Sequence, residues 1–335
     1  MRSRLHGSLV GTVAVMSGRE LDVEAMLAGL HEPTPPGHRS GLIALVGRPN
    51  TGKSTLLNQL VGAKVAIVTP VPGTTRNAIR GVLTREDAQL VFLDTPGLAK
   101  PRTLLTRRLN DLVRDTWAGV DLLCFVADVA AGIGQGDAFL ARELAGTSTP
   151  VVAIANKVDR VRPKERMLPE LVRLEELGAS LGGFADIVPV SASTGDNVER
   201  LVDVLVSHLP EGPRLFPSGQ VSDQPERQLA AEILREKLIG VVSEELPHSI
   251  AVTVDEVAAD PDREDLLRID AVIHVERDSQ KAIVIGRGGE HLKTAASAAR
   301  QELEALFGAK VFLSTHVRVA KEWQRDPKQL GRLGY

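Results

Sequence analysis

The chain has a single cysteine, Cys124, in 335 residues. One thiol excludes an internal disulfide and a cysteine-ligated metal centre, and it fits a reducing compartment. Cys124 lies in the apolar run LLCFVA (122–127), where it reads as a small core residue. A secretion signal is not expected either. Residues 1–18 carry two arginines and a weak apolar stretch, but glycine and threonine interrupt it and no A-x-A site follows. The stretch is too short to span a bilayer. Charge of one sign is missing as well: 40 Lys/Arg stand against 43 Asp/Glu, for a net −3. That excludes a polycationic chain but not a local basic face. Residues 281–335 hold ten Lys/Arg and five Asp/Glu, so this end is +5 and the remainder −8. A localised polyanion site is expected there.

What is present is five short segments in fixed order: GRPNTGKS (47–54), GTT (73–75), DTPG (94–97), NKVD (156–159) and SAS (191–193). The first has the spacing G-x-x-x-x-G-K-[ST]. Its glycines let backbone N–H groups close around phosphates, Lys53 reaches β- and γ-oxygens, and Ser54 suits Mg²⁺. NKVD narrows the base to guanine. The Asp159 carboxylate, a double acceptor, matches the N1–H and 2-amino donors of guanine, which adenine does not offer. Asn156 is expected to brace the loop, Lys157 to lie along the purine, and Ala192 to offer its N–H to O6. The predicted nucleotide contacts are therefore Gly47, Arg48, Pro49, Asn50, Thr51, Gly52, Lys53, Ser54, Thr55, Asp94, Thr95, Pro96, Gly97, Asn156, Lys157, Asp159, Ser191, Ala192 and Ser193. Any one motif alone is weak; their order makes the case.

Context supports them. The runs LIALV (42–46), LVFL (90–93), VVAIA (151–155) and IVPV (187–190) each end directly at or beside a motif. Buried parallel strands read this way, with nucleotide sites at their carboxyl ends. Helical stretches at 103–117 and 197–209 alternate with them. The predicted organisation is a flexible extension over 1–40, with Met16 a possible alternative start, a nucleotide domain over 41–212, a Pro/Gly/Ser-rich linker over 213–225 and a second domain over 226–335.

In that second domain a helical apolar face runs from Leu229 to Leu246, and strands follow at 250–257 and 267–276. IGRGG (285–289) then precedes a helix marked by Leu292, Ala295, Ala299 and Leu303, and 311–319 supplies a last strand. DPDRED (260–265) reads as a solvated turn. The order helix, strand, strand, helix, helix, strand is that of a bacterial-type (type II) KH domain. G-x-x-G alone is more often a mere corner between helices. Embedded in this order, with Arg287, Lys281, Lys293 and Arg300 near it, it points to RNA held by Lys281, Ile285, Gly286, Arg287, Gly288, Gly289 and Lys293.

With these motifs, the segments AAEILREKLIGVVSEELPHSIAV (230–252), IVIGRGGEHLK (283–293) and RLGY (332–335) resemble the Era family of bacterial GTPases, over residues 41–335. The resemblance implies a Ras-like P-loop GTPase domain followed by the KH domain, binding near the 3′ end of 16S ribosomal RNA during 30S subunit maturation; the protein is expected to be a monomer. The resemblance also implies a cytoplasmic protein with peripheral association at the inner face of the membrane. A Der-type GTPase would need a second P-loop domain, and an MnmE-type enzyme a C-terminal cysteine motif; this chain has neither. A non-enzymatic RNA-binding scaffold remains open on sequence.

Hydrolysis would rest on Lys53, Thr74, Thr75 and Gly97, with Mg²⁺ held by Ser54, Asp94 and either Thr74 or Thr75. After DTPG stands Leu98, where Ras-type enzymes carry a glutamine. Asn50 in the P-loop is therefore a candidate K⁺ ligand, the ion supplying part of the missing charge.

Overall fold

The computed structural model describes residues 34–98, 103–242 and 246–335. Its first half is a six-stranded sheet ordered β2-β3-β1-β4-β5-β6. The strands are β1 (Arg39–Val46), β2 (Ile79–Thr84), β3 (Ala88–Asp94), β4 (Leu122–Asp128), β5 (Val151–Asn156) and β6 (Asp186–Pro189). All neighbours pair in parallel except β2 with β3. Because strand side chains alternate, Ile43 and Leu45 of β1 face one layer and Ala44 and Val46 the other. Helices α1 (Lys53–Val61) and α5 (Val198–His208) cover the first face. Helices α2 (Leu104–Ala118), α3 (Gln135–Leu144) and α4 (Met167–Gly178) cover the second. Cys124 is fully buried in the first layer, and burial raises its thiol pKa.

Three features differ from or add to the sequence reading. β1 starts at Arg39, not Leu42: Arg39 pairs with Ala88 and bridges to Glu211, and His38 Nδ1 bonds the Gly212 carbonyl at 2.8 Å. Residues 38–40 are thus tied to the sheet rather than part of a flexible extension; 1–33, including Met16, lie outside the described residues. β2 was not foreseen, because an edge strand reading IRGVLT has a charge and a glycine where a buried run would be apolar. Residues 213–225, read as a linker, lie against the sheet as a strap. Gln89 accepts at one side-chain oxygen from the N–H groups of Leu215 (2.6 Å) and Phe216 (2.8 Å), and the Val82 N–H donates to the Val221 carbonyl at 2.9 Å, covering the open edge of β2.

The second half comprises α6 (Glu226–Val241), α7 (Leu246–Ser249), β7 (Ala251–Asp260), β8 (Arg263–Val275), α8 (Asp278–Ile285), α9 (Glu290–Phe307), β9 (Lys310–Val319) and α10 (Pro327–Arg332). β8 is central, antiparallel to β7 and parallel to β9. The alternating Leu267, Ile269, Ala271, Ile273 and Val275 are all buried against α6 and α9. The apolar face read as one helix to Leu246 is split: α6 stops at Val241 and Leu246 opens α7.

Candidate nucleotide and nucleic-acid sites

The loop from Gly47 to Gly52 joins β1 to α1 at the carboxyl ends of the parallel strands. Gly47 is there because a Cβ would fall 2.4 Å from the Val126 carbonyl oxygen. Lys53 is buried, and its Nζ donates to the Gly47 and Arg48 carbonyls at 2.9 and 3.1 Å. Desolvation lowers its pKa, opposed by the charge of Asp94. Asp94 ends β3 wholly buried, and desolvation raises its pKa, with Lys53 and Ser54 pulling the other way. Ser54 Oγ donates to Asp94 Oδ2 at 2.6 Å, while Asp94 Oδ1 has no hydrogen-bond partner among the described residues.

The loop carrying GTT lies over this floor. Thr75 Oγ1 stands 3.4 Å from Ser54 Oγ, whereas the Thr74 hydroxyl accepts from Thr69 at 3.1 Å. Asn50 Nδ2 donates to the Pro70 carbonyl at 2.9 Å, tying the same loop to the P-loop. The space enclosed by Pro49, Asn50, Lys53, Ser54, Thr55, Thr74, Thr75 and Gly97 is narrow, about 60 Å³. A far larger cleft, about 920 Å³, lies between α2 and α3 and is lined by Leu98 and Phe139. Chemistry, not size, marks the site.

At the far end, Asn156 joins three loops. Its Nδ2 donates to the Thr51 carbonyl at 2.8 Å, and its Oδ1 accepts from the N–H groups of Lys157 and Ala192 at 2.8 and 3.0 Å. The Ala192 N–H expected to face O6 is thus occupied by Asn156 in this arrangement. Ser191 Oγ donates to Asp159 Oδ1 at 2.7 Å and lies 3.1 Å from Ser193 Oγ. Lys157 Nζ donates to Asp128 Oδ2 at 2.6 Å. Asp128, the last residue of β4, was missed on sequence, its only signal being its place at a strand end.

Two other expected contacts turn away. The Thr95 hydroxyl donates to the Leu45 carbonyl at 2.9 Å, inside the sheet. The Arg48 side chain leaves the P-loop to meet Asp137 of α3 at 2.9 Å.

In the other half, α8 and α9 meet at the glycine turn. Gly286 has φ 76° and ψ 173°, and Gly288 and Gly289 also have positive φ. The turn precedes the first residue of the eighteen-residue α9, so its backbone faces a helix N-terminus. Arg287 and Lys293 are exposed, Lys281 and Ile285 half-buried. Ile283, 47% exposed beside the turn, was not anticipated.

Comparison with known proteins agrees with this layout. Residues 42–157 match a family described as a 50S ribosome-binding GTPase, and 245–324 match a KH domain. GTPase Era of Mycolicibacterium paratuberculosis is 54% identical over 301 residues, spanning 89% of this chain and 99% of that one. The chain belongs to the Era family of GTPases. Era of Mycobacterium tuberculosis is likewise 54% identical, over 88% of this chain and 98% of its own. Two solved Era structures, one in complex with MgGDPNP and nucleotides 1506–1542 of 16S ribosomal RNA and one an Aquifex aeolicus variant bound to GDP·AlF₄⁻, each superpose with a TM-score of 0.85. Both are 37% identical and cover 89% of this chain and 99% of theirs. As an Era-family member the protein is a GTPase with a Ras-like domain followed by a KH domain. Among the described residues no helix is long and apolar enough to cross a membrane.

Proposed function

We propose that the protein is a cytoplasmic, monomeric GTP switch that binds the 3′ end of 16S ribosomal RNA through its KH domain and acts in 30S subunit assembly. The carrying observation is that one Era structure, similar over 89% of this chain, holds a GTP analogue and that RNA segment together. Residues 41–212 form the nucleotide unit, 213–225 the strap and 226–335 the RNA unit. Peripheral contact with the membrane is part of the same reading.

The residues present fit a Mg²⁺ ion. Neighbouring ligands on an octahedral Mg²⁺ at about 2.1 Å lie roughly 3 Å apart, and the Ser54 and Thr75 hydroxyls are 3.4 Å apart. This favours Thr75 over Thr74 as the metal ligand, with Asp94 acting through water at its unpartnered Oδ1. When bound, the metal neutralises charge on the β- and γ-oxygens. Lys53 and the backbone of Gly97 hold the γ-phosphate, on which water attacks in line as the bond to GDP breaks. Leu98 cannot orient that water, so turnover is slow and Asn50 is assigned to K⁺.

Two measurements test the reading. Asp159→Asn presents an NH₂ where guanine has donors, so it should lose GTP and accept XTP; unchanged GTP affinity refutes the base assignment. GTP turnover should be faster in KCl than in NaCl at equal ionic strength, and Asn50→Ala should abolish the difference. Equal wild-type rates would remove K⁺ from the scheme.

A further inference from the structure

The loop over the phosphate site is gripped from the KH half. Arg235 of α6 is fully buried and donates through Nη2 to the Thr74 carbonyl, while Nε and Nη2 meet the carboxylate of Glu232. Its Nη1 is buried without a hydrogen-bond partner among the described residues. Two residues along the loop, Arg76 reaches the other way. Its Nη1 donates to the Ile250 carbonyl at 2.7 Å and its Nη2 to the His248 carbonyl at 2.8 Å. The same guanidinium lies 5.3 and 5.4 Å from the ring centroids of Trp323 and Tyr335. Between these two anchors stands Thr75, 3.4 Å from Ser54.

Glu232 already balances the charge of Arg235. What the Thr74 carbonyl adds is a fixed orientation for the peptide bond that leads into Thr75. A buried guanidinium cannot release that carbonyl to water, so the bond persists only while α6 and the loop stay packed. Neither arginine belongs to a nucleotide or RNA motif, and neither lines the phosphate pocket.

We propose that Arg235 is a positioning residue for the Mg²⁺–GTP site. Held by Arg235, the Thr74 carbonyl sets the Thr75 hydroxyl, so KH packing on this loop and triphosphate binding form one equilibrium. The inference rests on the nucleotide and RNA reading above. Coupling of this kind is reciprocal: a ligand on the KH domain that alters α6 against the loop changes triphosphate affinity by the factor with which triphosphate changes its own. GDP lacks the γ-phosphate that orders this loop, so the effect falls on the triphosphate.

The test compares wild type with Arg235→Lys and with the pair Glu232→Gln/Arg235→Met, which removes both charges so that neither is left buried alone. Circular dichroism and melting confirm that both fold. Affinities are measured for GDP, for a non-hydrolysable GTP analogue with Mg²⁺, and for a 16S ribosomal RNA 3′ fragment in each nucleotide state. The paired variant should hold GDP within about twofold of wild type and the GTP analogue roughly tenfold more weakly, with Arg235→Lys in between. RNA affinity should differ between the two nucleotide states by about fivefold or more in wild type and by less than about twofold in the paired variant. Equal loss for both nucleotides, or loss for neither, reduces Arg235 to a packing residue and overturns the proposal. RNA bound equally in both states by wild type overturns the coupling while leaving the GTPase and RNA reading intact. No RNA binding by wild type in either state refutes that reading instead, and the nucleotide affinities still decide the role of Arg235.

Discussion

Asp94 and Lys53 share a buried floor that is costly without nucleotide. For Asp94, desolvation raises the folded pKa above the ordinary aspartate value, although Lys53 and Ser54 oppose it. Between those two values the folded chain keeps a proton that the unfolded chain has lost, so nucleotide-free stability falls as pH rises through the window. Lys53 has the opposite sense: its folded pKa is lowered by desolvation, so between that value and its ordinary one stability rises with pH. Asp94→Asn should therefore flatten the acid-side slope and raise the nucleotide-free melting temperature, by about 2–4 °C per kcal/mol recovered. It should also weaken Mg²⁺-dependent binding of a GTP analogue. A lower melting temperature with an unchanged slope would show that the Asp94 charge is not what burdens the apo protein. At this scale the motif residues were legible because their chemistry repeats at fixed spacing. Asp128, Arg76 and Arg235 were not, since a lone charge in a sequence does not say which distant carbonyl or ammonium it will meet.

Among the elements, the α8–α9 corner has the sharpest demands. Gly286, at φ 76° and ψ 173°, occupies a region essentially restricted to glycine, and a Cβ there would lie 2.9 Å from the His291 backbone nitrogen. Substitution at 286 would break the corner itself. Gly288, at φ 61° and ψ 19° with open space around it, sits where aspartate is tolerated. Gly288→Asp with Arg287→Ala should thus weaken RNA binding while the melting temperature stays near wild type. The salt dependence should flatten by about 0.7 in log–log slope for each phosphate that the variant no longer neutralises. Wild-type RNA affinity in that folded variant would place recognition elsewhere. The switch-side helix α2 offers a second handle. Thr103 and Thr106 cap its start reciprocally, at 2.9 and 3.2 Å, and Thr103→Ala should cost about 1 kcal/mol in denaturant unfolding. Long apolar runs and the helical face of α9 were readable because burial imposes a period. β2 and the grip of the strap were not: both depend on partners such as Gln89, Arg80 and Ser40 that the local sequence cannot name.

Across the whole molecule, Lys64 of the first domain meets Glu236 of α6 and Glu302 of α9, and Lys237 also meets Glu302. Desolvation acts to lower the Lys64 pKa, but the two carboxylates outweigh it and hold the value above normal. That contribution is complete below the ordinary lysine pKa and lost above the raised one. Glu302 is the complement: desolvation would raise it, Lys237 and Lys64 bring it below normal, and its share is lost only as pH falls through that lowered value. The clamp is therefore intact across neutral pH. Lys64→Glu would gather a third carboxylate at the junction and should enlarge the radius of gyration seen by small-angle X-ray scattering, with circular dichroism unchanged. An unaltered scattering profile would assign the junction to its apolar contacts, Leu105 with Ala251, Trp323 and Leu330. Trp323 has a further consequence. The chain holds two tryptophans and one tyrosine, and Tyr335 stacks on Trp323 at 5.6 Å with the Arg76 cation beside both. Trp117, the other indole, is buried in the first-domain core. The junction thus carries a built-in optical label: energy absorbed by the tyrosine passes to an indole whose emission colour depends on a nearby cation, so intrinsic fluorescence reports the departure of residue 76 without any dye.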